Sequence, residues 1–271
     1  MSEYIQIIFM AVFQGVAEFL PISSSGHLEL LGMLFGIAED ERFSLSILLH
    51  SGTLLAMLCF YFKDITGIFL KREWRTILLV IIGSIPAGVG GLFVKFSGMD
   101  EFFHEPFLLG SAFILTGFLL LSLRRIQQKE VEYVPLNAMS ASSALAIGFL
   151  QLIAILPGVS RSGTTIFAGA KSRLSPDDNA KFSFYLAMAA IGGATLLEIV
   201  SLLMLKKGSE IILSMNTGLY AAGFLVSFAS GYLALSLLVR LLKSKKLGLF
   251  CFYMFLAGIL TLIFDIYMRT K

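Results

Sequence analysis

The sequence predicts an all-α integral membrane protein with six transmembrane helices and two re-entrant helical hairpins, arranged as an inverted-topology repeat. Three observations support this fold class. Apolar residues make up 57% of the chain and charged residues only 14%, whereas soluble domains have about half and about a quarter. Six apolar segments are long enough to cross a bilayer. Two further apolar segments are interrupted by proline, glycine and serine, which is typical of broken helices.

Composition also excludes several classes of protein. A mean hydropathy of +0.86 excludes a disordered chain and an ordinary soluble enzyme. The two cysteines, Cys59 and Cys251, lie in apolar runs and indicate small buried side chains rather than a disulfide or a metal site. The net charge is only +3 and there is no basic stripe, so we expect no nucleic acid as a partner. The first apolar run lacks a basic segment before it, so we expect no cleavable signal peptide.

The six predicted spans follow from length. A helix rises about 1.5 Å per residue, so about 20 apolar residues cross about 30 Å of hydrocarbon. The predicted spans cover residues 44–62, 76–95, 106–123, 182–205, 211–239 and 248–268. In the second span we expect close contacts with another helix at Gly83, Gly88, Gly90 and Gly91.

The two interrupted segments do not fit a simple span. The first covers residues 4–20, breaks at PISSSG (21–26) and resumes at His27. The second covers residues 138–156, breaks at PGVSRSG (157–163) and resumes to Ala170. Proline removes an amide donor, and bare backbone at membrane depth needs protein or water around it, so we interpret both breaks as tips of re-entrant hairpins. A pair of proline-kinked spanning helices stays open as the alternative.

An internal repeat relates the two breaks. A shift of 137 residues aligns Gln14 with Gln151, Ala17 with Ala154, Ser23 with Ser160, Ser25 with Ser162, and Gly26 with Gly163. Each half, residues 1–132 and 133–271, then holds one hairpin followed by three spans, and both halves form one membrane domain. Because three is odd, the second half must be inverted relative to the first.

Basic residues orient this arrangement in the membrane. Fourteen of the 21 lysines and arginines fall on one side of the predicted layout and six on the other, with Arg161 inside a break. The richer side is expected to be cytoplasmic, which places both termini outside. The first hairpin then enters from the outside and the second from the cytoplasm. The acidic loop with Asp100, Glu101 and Glu105 falls on the outer side.

Ionisable residues within apolar segments are candidates for function, because a charge at the bilayer centre costs at least about 2.5 kcal/mol. The segments contain Glu18, His27, Glu29, His50, Arg161 and Glu198. A structural role is favoured for Glu29. For His50 and Glu198, a place in the site and a contact between helices stay equally open.

If the hairpin tips meet, a carboxylate, an imidazole, a guanidinium and several hydroxyls share one cavity. Arginine suits bidentate binding of phosphate, and the start of a glycine-containing helix binds anions. Gln14 and Glu18 lie four residues apart on one helix face, where their oxygens could hold a divalent cation. These residues predict phosphoryl transfer on a substrate with a lipid tail.

Two motifs carry a family resemblance. Residues QGVAEFLPISSSGH (14–27) resemble the (E/Q)xxxE motif, with its serine-rich turn and histidine, of undecaprenyl-diphosphate phosphatases, the bacitracin-resistance family. Residues PGVSRSGTT (157–165) resemble the PGxSRSG motif of that family. Residues 43–56 and 181–184 are similar as well, and the similarity covers nearly the whole chain in order. Position 14 is glutamine, which the motif allows in place of glutamate.

The resemblance implies a hydrolase that converts undecaprenyl diphosphate to undecaprenyl phosphate and phosphate in the bacterial cytoplasmic (inner) membrane. Such an enzyme recycles the lipid carrier of peptidoglycan synthesis and confers bacitracin resistance. The resemblance also implies an active site that faces the outer (periplasmic) side, with Mg²⁺ or Ca²⁺ held by Gln14 and Glu18. The implied catalytic residues are Glu18, Ser24, His27 and Arg161. The implied substrate-binding residues are Gln14, Ser23, Ser25, Gly26, Ser160, Ser162, Gly163 and Thr165.

In the resulting hypothesis, Arg161 and the hairpin amides bind the diphosphate. Ser24 attacks the terminal phosphorus or orients a water molecule, and His27 moves protons. The main alternative is a transporter or flippase of prenyl phosphate lipids, because inverted repeats with broken helices are typical of transporters. A phosphatidic-acid-type phosphatase matches only at SGH (25–27), and an antibiotic-binding scaffold leaves Arg161 without a role. A homodimer stays open.

Overall fold

The computed structural model describes residues 2–99, 103, 105–204 and 217–270, which form eleven α-helices. The helices are α1 (Glu3–Phe19), α2 (Ser24–Phe35), α3 (Glu39–Phe60), α4 (Phe62–Leu70), α5 (Trp74–Ser97), α6 (Pro106–Gln127), α7 (Ala141–Ile153), α8 (Arg161–Lys171), α9 (Pro176–Met204), α10 (Thr217–Lys243) and α11 (Phe250–Arg269). Within the described ranges the only β-pairing is an isolated bridge between Val134 and Leu174. The all-α class is therefore confirmed.

Five described helices are long and apolar enough to cross a membrane, namely α5, α6, α9, α10 and α11. Helices α3 and α4 add a sixth candidate if they act as one span, bent by 58°. The prediction of a multi-pass membrane protein is confirmed at this level. The predicted end of the first span near residue 62 agrees with the end of α3 at Phe60, but the chain turns at Tyr61 and continues as a second helix to Leu70, which the sequence did not predict. Three parts of the prediction lie outside the described residues. They are the end of the fourth span at residue 205, the start of the fifth span at residues 211–216, and the acidic residues Asp100 and Glu101.

Helices α1 and α2 form the first hairpin. Helix α1 ends at Phe19 because Leu20 precedes a proline and adopts an extended conformation, with φ −69° and ψ 149°. The chain then reverses, and α2 runs back along α1, since the rings of Phe9 and Phe35 lie 6.2 Å apart. Helix α2 ends at Gly36, whose φ of 69° suits a glycine at a helix end.

Helices α7 and α8 form the second hairpin and pack against each other. Helix α7 ends at Ile153, ahead of the proline at 157. Helix α8 begins after Ser160, whose hydroxyl accepts a hydrogen bond from the Gly163 amide at 3.1 Å. The segments before α7 and after α8 are joined by a hydrogen bond from the Val134 amide to the Arg173 carbonyl at 2.8 Å. This bond closes the end of the hairpin opposite its tip.

Glycines allow α5 and α7 to approach closely. A Cβ at Gly148 of α7 would lie 2.2 Å from the carbonyl oxygen of Gly83 in α5. The prediction of close contacts in α5 is confirmed at Gly83 and Gly90. It is wrong at Gly88 and Gly91, where a Cβ would meet no atom within 4 Å. One face of α5 therefore borders open space.

Ion pairs connect the helix ends on the predicted basic side. Lys181 at the start of α9 pairs with Asp64 of α4. Lys243 at the end of α10 lies 2.9 Å from Asp177 of α9. These contacts bring together segments that the count of basic residues assigned to one side of the membrane.

Candidate active site

The tips of the two hairpins are in direct contact. The amide of Gly158 donates to the Ser23 hydroxyl at 3.1 Å, and the Ser162 hydroxyl donates to the Leu20 carbonyl at 3.1 Å. A Cβ on Gly26 would lie 2.6 Å from the Gly158 nitrogen, so only glycine allows this approach. Residues that are 135 positions apart in the sequence thus form one polar cluster.

Helix α6 and the backbone at Ser23 hold both tips in place. Thr116 of α6 donates to the Gly158 carbonyl and accepts from the Ser160 amide, both at 3.0 Å. Ser23 has a φ of 65°, which is unfavourable for a residue with a side chain. Its hydroxyl accepts hydrogen bonds from the amides of Gly26 and Gly158, and these bonds offset part of that strain.

Gly26→Ala is expected to separate the tips. The new Cβ would collide with backbone atoms of Gly158 and with the ring of Phe113, at 2.6 to 2.7 Å. Because backbone cannot move aside by a rotamer change, we expect a loss of about 1–3 kcal/mol in the free energy of unfolding in detergent. Gly91→Ala is the matched control, since its Cβ meets no atom within 4 Å. Equal stability of the two variants would contradict the close contact.

Glu18 is at the centre of the polar cluster. Its carboxylate pairs with the Arg161 guanidinium and accepts hydrogen bonds from Gln14 Nε2 at 3.0 Å and from Ser24 Oγ at 2.5 Å. His50 Nε2 lies 3.4 Å from the same carboxylate. Glu18 is only 6% exposed. A buried carboxylate is stable here because a cation and neutral donors replace its lost solvation.

A cavity of about 380 Å³ opens at this cluster. Its polar lining consists of Glu18, Ser23, Ser24, Ser25, Ser46, His50, Ser160, Arg161 and Thr195. Six of the residues predicted from sequence therefore share one cavity, and they come from both hairpins. Apolar residues of α3 and α9 complete the walls.

The other six predicted residues are not part of this lining. They are Gln14, Gly26, His27, Ser162, Gly163 and Thr165. Their contacts are with the protein: the Thr165 hydroxyl is 2.5 Å from that of Ser183 in α9, and the Gly163 amide donates to Ser160. The structure thus places them behind the cavity wall, where they hold the tips in position.

All the contacts that the structure gives for His27 are with other residues of the protein. Its Nδ1 lies 2.8 Å from the Ser23 carbonyl oxygen, and its Nε2 lies 2.8 Å from the Tyr253 hydroxyl of α11. The rings of Phe113 and Phe13 are 4.7 and 5.0 Å from the imidazole. Both ring nitrogens therefore already have hydrogen-bond partners within the protein. Tyr253 was not identified from sequence, where a tyrosine in an apolar helix gives no signal.

His50 lines the cavity and also contacts Glu18 of α1, so both readings that the sequence left open describe it. Its Nδ1 is 2.7 Å from the Ser46 carbonyl oxygen. Because that oxygen can only accept, Nδ1 carries the proton and Nε2 faces Glu18. The signal for His50 was an ionisable residue in an apolar span.

Glu29 is not part of the lining of this cavity. Glu29 pairs with Arg42 at 3.4 Å, in agreement with a structural role. The side chain of Glu198 lies outside the described residues.

A divalent cation has a partial set of ligands here. Gln14 Oε1 is buried and has no hydrogen-bond partner in the described part of the chain. The Gln14 amide nitrogen faces the Glu18 carboxylate at 3.0 Å, so the amide oxygen would join that carboxylate as a ligand of the kind that Mg²⁺ and Ca²⁺ prefer once the amide turned over. No group of three or more His, Cys, Asp or Glu residues that could hold a metal occurs among the described residues. The residues thus fit a cation that receives its other oxygens from a phosphate.

The cluster has the parts needed for phosphoryl transfer. It combines a serine hydroxyl that is hydrogen-bonded to a carboxylate, a guanidinium and the imidazole of His50 in a largely apolar cavity. Such an arrangement activates a nucleophile and stabilises the charge of a transferring phosphoryl group.

Comparison with known proteins agrees with this chemistry. The sequence profile of bacitracin resistance protein BacA matches residues 7–260. A protein of Rhodopirellula baltica named undecaprenyl-diphosphatase is 40% identical over 98% of this chain and 100% of its own. Proteins of the same name from Halothermothrix orenii and Methanosphaera stadtmanae are 36% and 32% identical, over 96% and 98% of this chain and 98% and 99% of their own. The chain therefore belongs to the bacitracin resistance protein BacA family.

Proposed function

We propose that this protein hydrolyses undecaprenyl diphosphate to undecaprenyl phosphate and phosphate. Family membership and the names of the relatives support the substrate. The observation that carries the proposal is the 2.5 Å hydrogen bond from the Ser24 hydroxyl to Glu18, beside Arg161, in one cavity of an apolar helical protein. The activity recycles the lipid carrier of cell-wall synthesis and confers bacitracin resistance.

The proposed arrangement in the membrane has six spans, with α3 and α4 acting as one bent span. Hairpins α1–α2 and α7–α8 enter from opposite leaflets, and residues 1–132 and 133–271 are inverted repeats. The excess of basic residues on one side supports this orientation of the helices, and the family resemblance implies a cavity that faces the outer side of the cytoplasmic membrane. A cysteine introduced at Ser25, labelled from outside in intact cells, tests this orientation.

In the proposed reaction, Arg161 binds the diphosphate and Ser24 is the nucleophile. The Ser24 oxygen bonds to the terminal phosphorus while the bond from that phosphorus to the bridging oxygen breaks, which releases the prenyl monophosphate. The hydroxyl proton passes to Glu18, which already accepts its hydrogen bond. Water then hydrolyses the phosphoserine. Most of the acceleration comes from positioning and charge stabilisation.

The two imidazoles have different tasks in this proposal. Sequence reasoning assigned proton transfer to His27, but both of its ring nitrogens are bonded within the protein. His50 faces Glu18 from the cavity lining, so we assign proton exchange with the substrate and water to His50. His27 supports Ser23 and thereby the contact between the tips.

A divalent cation, Mg²⁺ or Ca²⁺, is part of the proposal. Gln14 Oε1 and the Glu18 carboxylate would hold it, and it would neutralise charge on the phosphate oxygens. In the structure the Gln14 amide nitrogen donates to Glu18, so binding of the cation by both residues would require this amide to turn over.

Purified protein in detergent, given undecaprenyl diphosphate, tests the function directly. We expect phosphate release that stops on addition of a chelator and returns with Mg²⁺ or Ca²⁺. No release from wild-type protein with either cation would refute the hydrolase. Movement of labelled prenyl phosphate across vesicles without hydrolysis would favour the transporter.

His50→Ala and His27→Ala are expected to differ in stability. His50→Ala should lower kcat by about 10²–10⁴-fold, the range for loss of a proton-transfer group, with an unchanged Tm. His27→Ala should lower Tm as well as kcat, because the imidazole packs against Phe113 and bonds to Tyr253. Steady-state kinetics and thermal unfolding of both variants are the measurements. A kcat of His50→Ala within threefold of wild type would contradict the assignment.

A further inference from the structure

A second cavity lies next to the active-site cavity, between α5, α7 and α9. It measures about 530 Å³. Five residues line both cavities, namely Ala154, Ile155, Arg161, Ala190 and Ala194. Arg161 is the one charged residue of this shared wall. The second cavity thus adjoins the active-site cavity at the residue proposed to bind the diphosphate.

Gln151 of α7 lines the second cavity and is only 2% exposed. Neither its Nε2 nor its Oε1 has a hydrogen-bond partner in the described part of the chain. The Nη1 atom of Arg161 is likewise buried and without a partner among the described residues. Native proteins leave few buried polar groups unpaired, so two such groups on one cavity call for an explanation. A ligand with anionic oxygens would satisfy both donors.

Apart from Ser84 and Lys95 of α5, the rest of the lining of the second cavity is apolar, and the cavity is open on one side. A Cβ at Gly88 of α5 or at Gly193 of α9 would meet no atom within 4 Å, so both glycines border open space. Leu92 and Leu197 of the lining are 42% and 47% exposed on the outer surface of the helices. Walls of this kind fit a hydrocarbon chain that continues into the surrounding lipid.

We propose that the second cavity binds the part of the substrate that stays on the lipid. The Gln151 amide and Arg161 Nη1 donate to the phosphate attached to the prenyl chain, and the first prenyl units lie along Gly88 and Gly193. The terminal phosphate then lies at Ser24 in the first cavity. This inference rests on the proposed function. It also gives a role to the repeat, in which Gln14 and Gln151 occupy equivalent positions of the two halves.

Gln151→Met tests the amide with a side chain of similar length. We expect binding of a fluorescent prenyl monophosphate to weaken by about 10-fold or more, because a hydrogen bond to a charged group is lost. The Tm of the ligand-free variant should equal or exceed that of wild type, since the buried amide has no partner to lose. A fall in Tm, or unchanged binding, would overturn the role of Gln151.

Gly88→Leu and Gly193→Leu test the apolar part. Leucine in either position fills the cavity without a clash at Cβ, so both variants should keep the wild-type Tm. Each should lower kcat/KM for undecaprenyl diphosphate by about 10-fold or more, and leave that for methyl diphosphate, a short substrate with no prenyl unit, within threefold. Gly67→Leu in α4 is the matched control, because its Cβ also meets no atom within 4 Å. Equal effects on long and short substrates, or none on either, would overturn the proposal.

The binding measurement separates this inference from the proposed function. If wild-type protein releases no phosphate but binds prenyl monophosphate, and Gln151→Met and Gly88→Leu weaken that binding, the second cavity is a lipid site in a protein that is not a hydrolase. If wild-type protein hydrolyses the diphosphate and neither variant changes binding or kinetics, the function stands and this inference fails.

Discussion

Ser24→Ala is expected to lower the rate of phosphate release from undecaprenyl diphosphate by about 10³-fold or more, the scale seen when a nucleophile is removed. The substitution removes the hydroxyl that donates to Glu18 at 2.5 Å. Glu18 keeps its contacts with Arg161 and Gln14, so the ion pair and the fold should remain. Initial rates and Tm of the purified variant measure both effects.

Ser51→Ala is a matched control for the loss of a hydroxyl. Ser51 lies on α3 next to His50, but its hydroxyl donates to the Ile47 carbonyl of its own helix and does not line the cavity. We expect its rate to stay within threefold of wild type. A Ser24→Ala variant as active as this control would exclude Ser24 from the reaction.

Rapid quenching with substrate labelled at the terminal phosphate separates the two roles proposed for Ser24. A nucleophile acquires the label as phosphoserine, which mass spectrometry locates at residue 24. A serine that only orients water never acquires it. If Ser24→Ala is inactive and wild-type protein forms no labelled intermediate, the attack is by water.

Arg161→Met is expected to lower the free energy of unfolding by about 3–5 kcal/mol and to abolish phosphate release. The large effect on stability follows from the burial of Glu18, whose side chain is 4% exposed and loses its counter-ion. The double variant Glu18→Gln with Arg161→Met removes both charges. It should recover most of the stability, because no unpaired charge remains, but no activity. Reversible unfolding in detergent compares both variants with wild type.

The pair of Lys181 and Asp64 is the matched control for this comparison. Its side chains are 39% and 35% exposed, so the surrounding solvent weakens their interaction. Lys181→Met should therefore cost only about 0–1 kcal/mol. Similar losses for Arg161→Met and Lys181→Met would show that Glu18 is solvated in the protein, contrary to the structure.

The sequence was sufficient for the helical class, for most spans and for both breaks in the hairpins. Proline and glycine have strong local effects on backbone conformation, and each hairpin turns where they occur. The bend between α3 and α4 at Tyr61 was not predictable in this way. It involves no proline or glycine, and apolar content alone does not distinguish a straight span from a bent one.

The site was predictable where motif residues face each other and not where a distant helix contributes. Sequence proximity favoured His27, which follows Glu18 by nine positions, as the residue that moves protons, and that role stays a prediction; its ring contacts residues of α6 and α11. His50 comes from α3, and only tertiary packing brings it to Glu18. Gly88 and Gly91 were expected in helix contacts, because a glycine pattern alone does not show whether a neighbouring helix is present.

The contact between the hairpin tips has a consequence for biosynthesis. Ser23 and Gly158 are 135 residues apart, so a ribosome must make more than half of the chain before the partner of the first tip exists. Until then the nascent chain carries Glu18 without the guanidinium that neutralises it. An unpaired acid is costly in hydrocarbon, so the translocon or its water must shelter α1 while the later segments arrive. Release of α1 into lipid is thereby coupled to synthesis of α8.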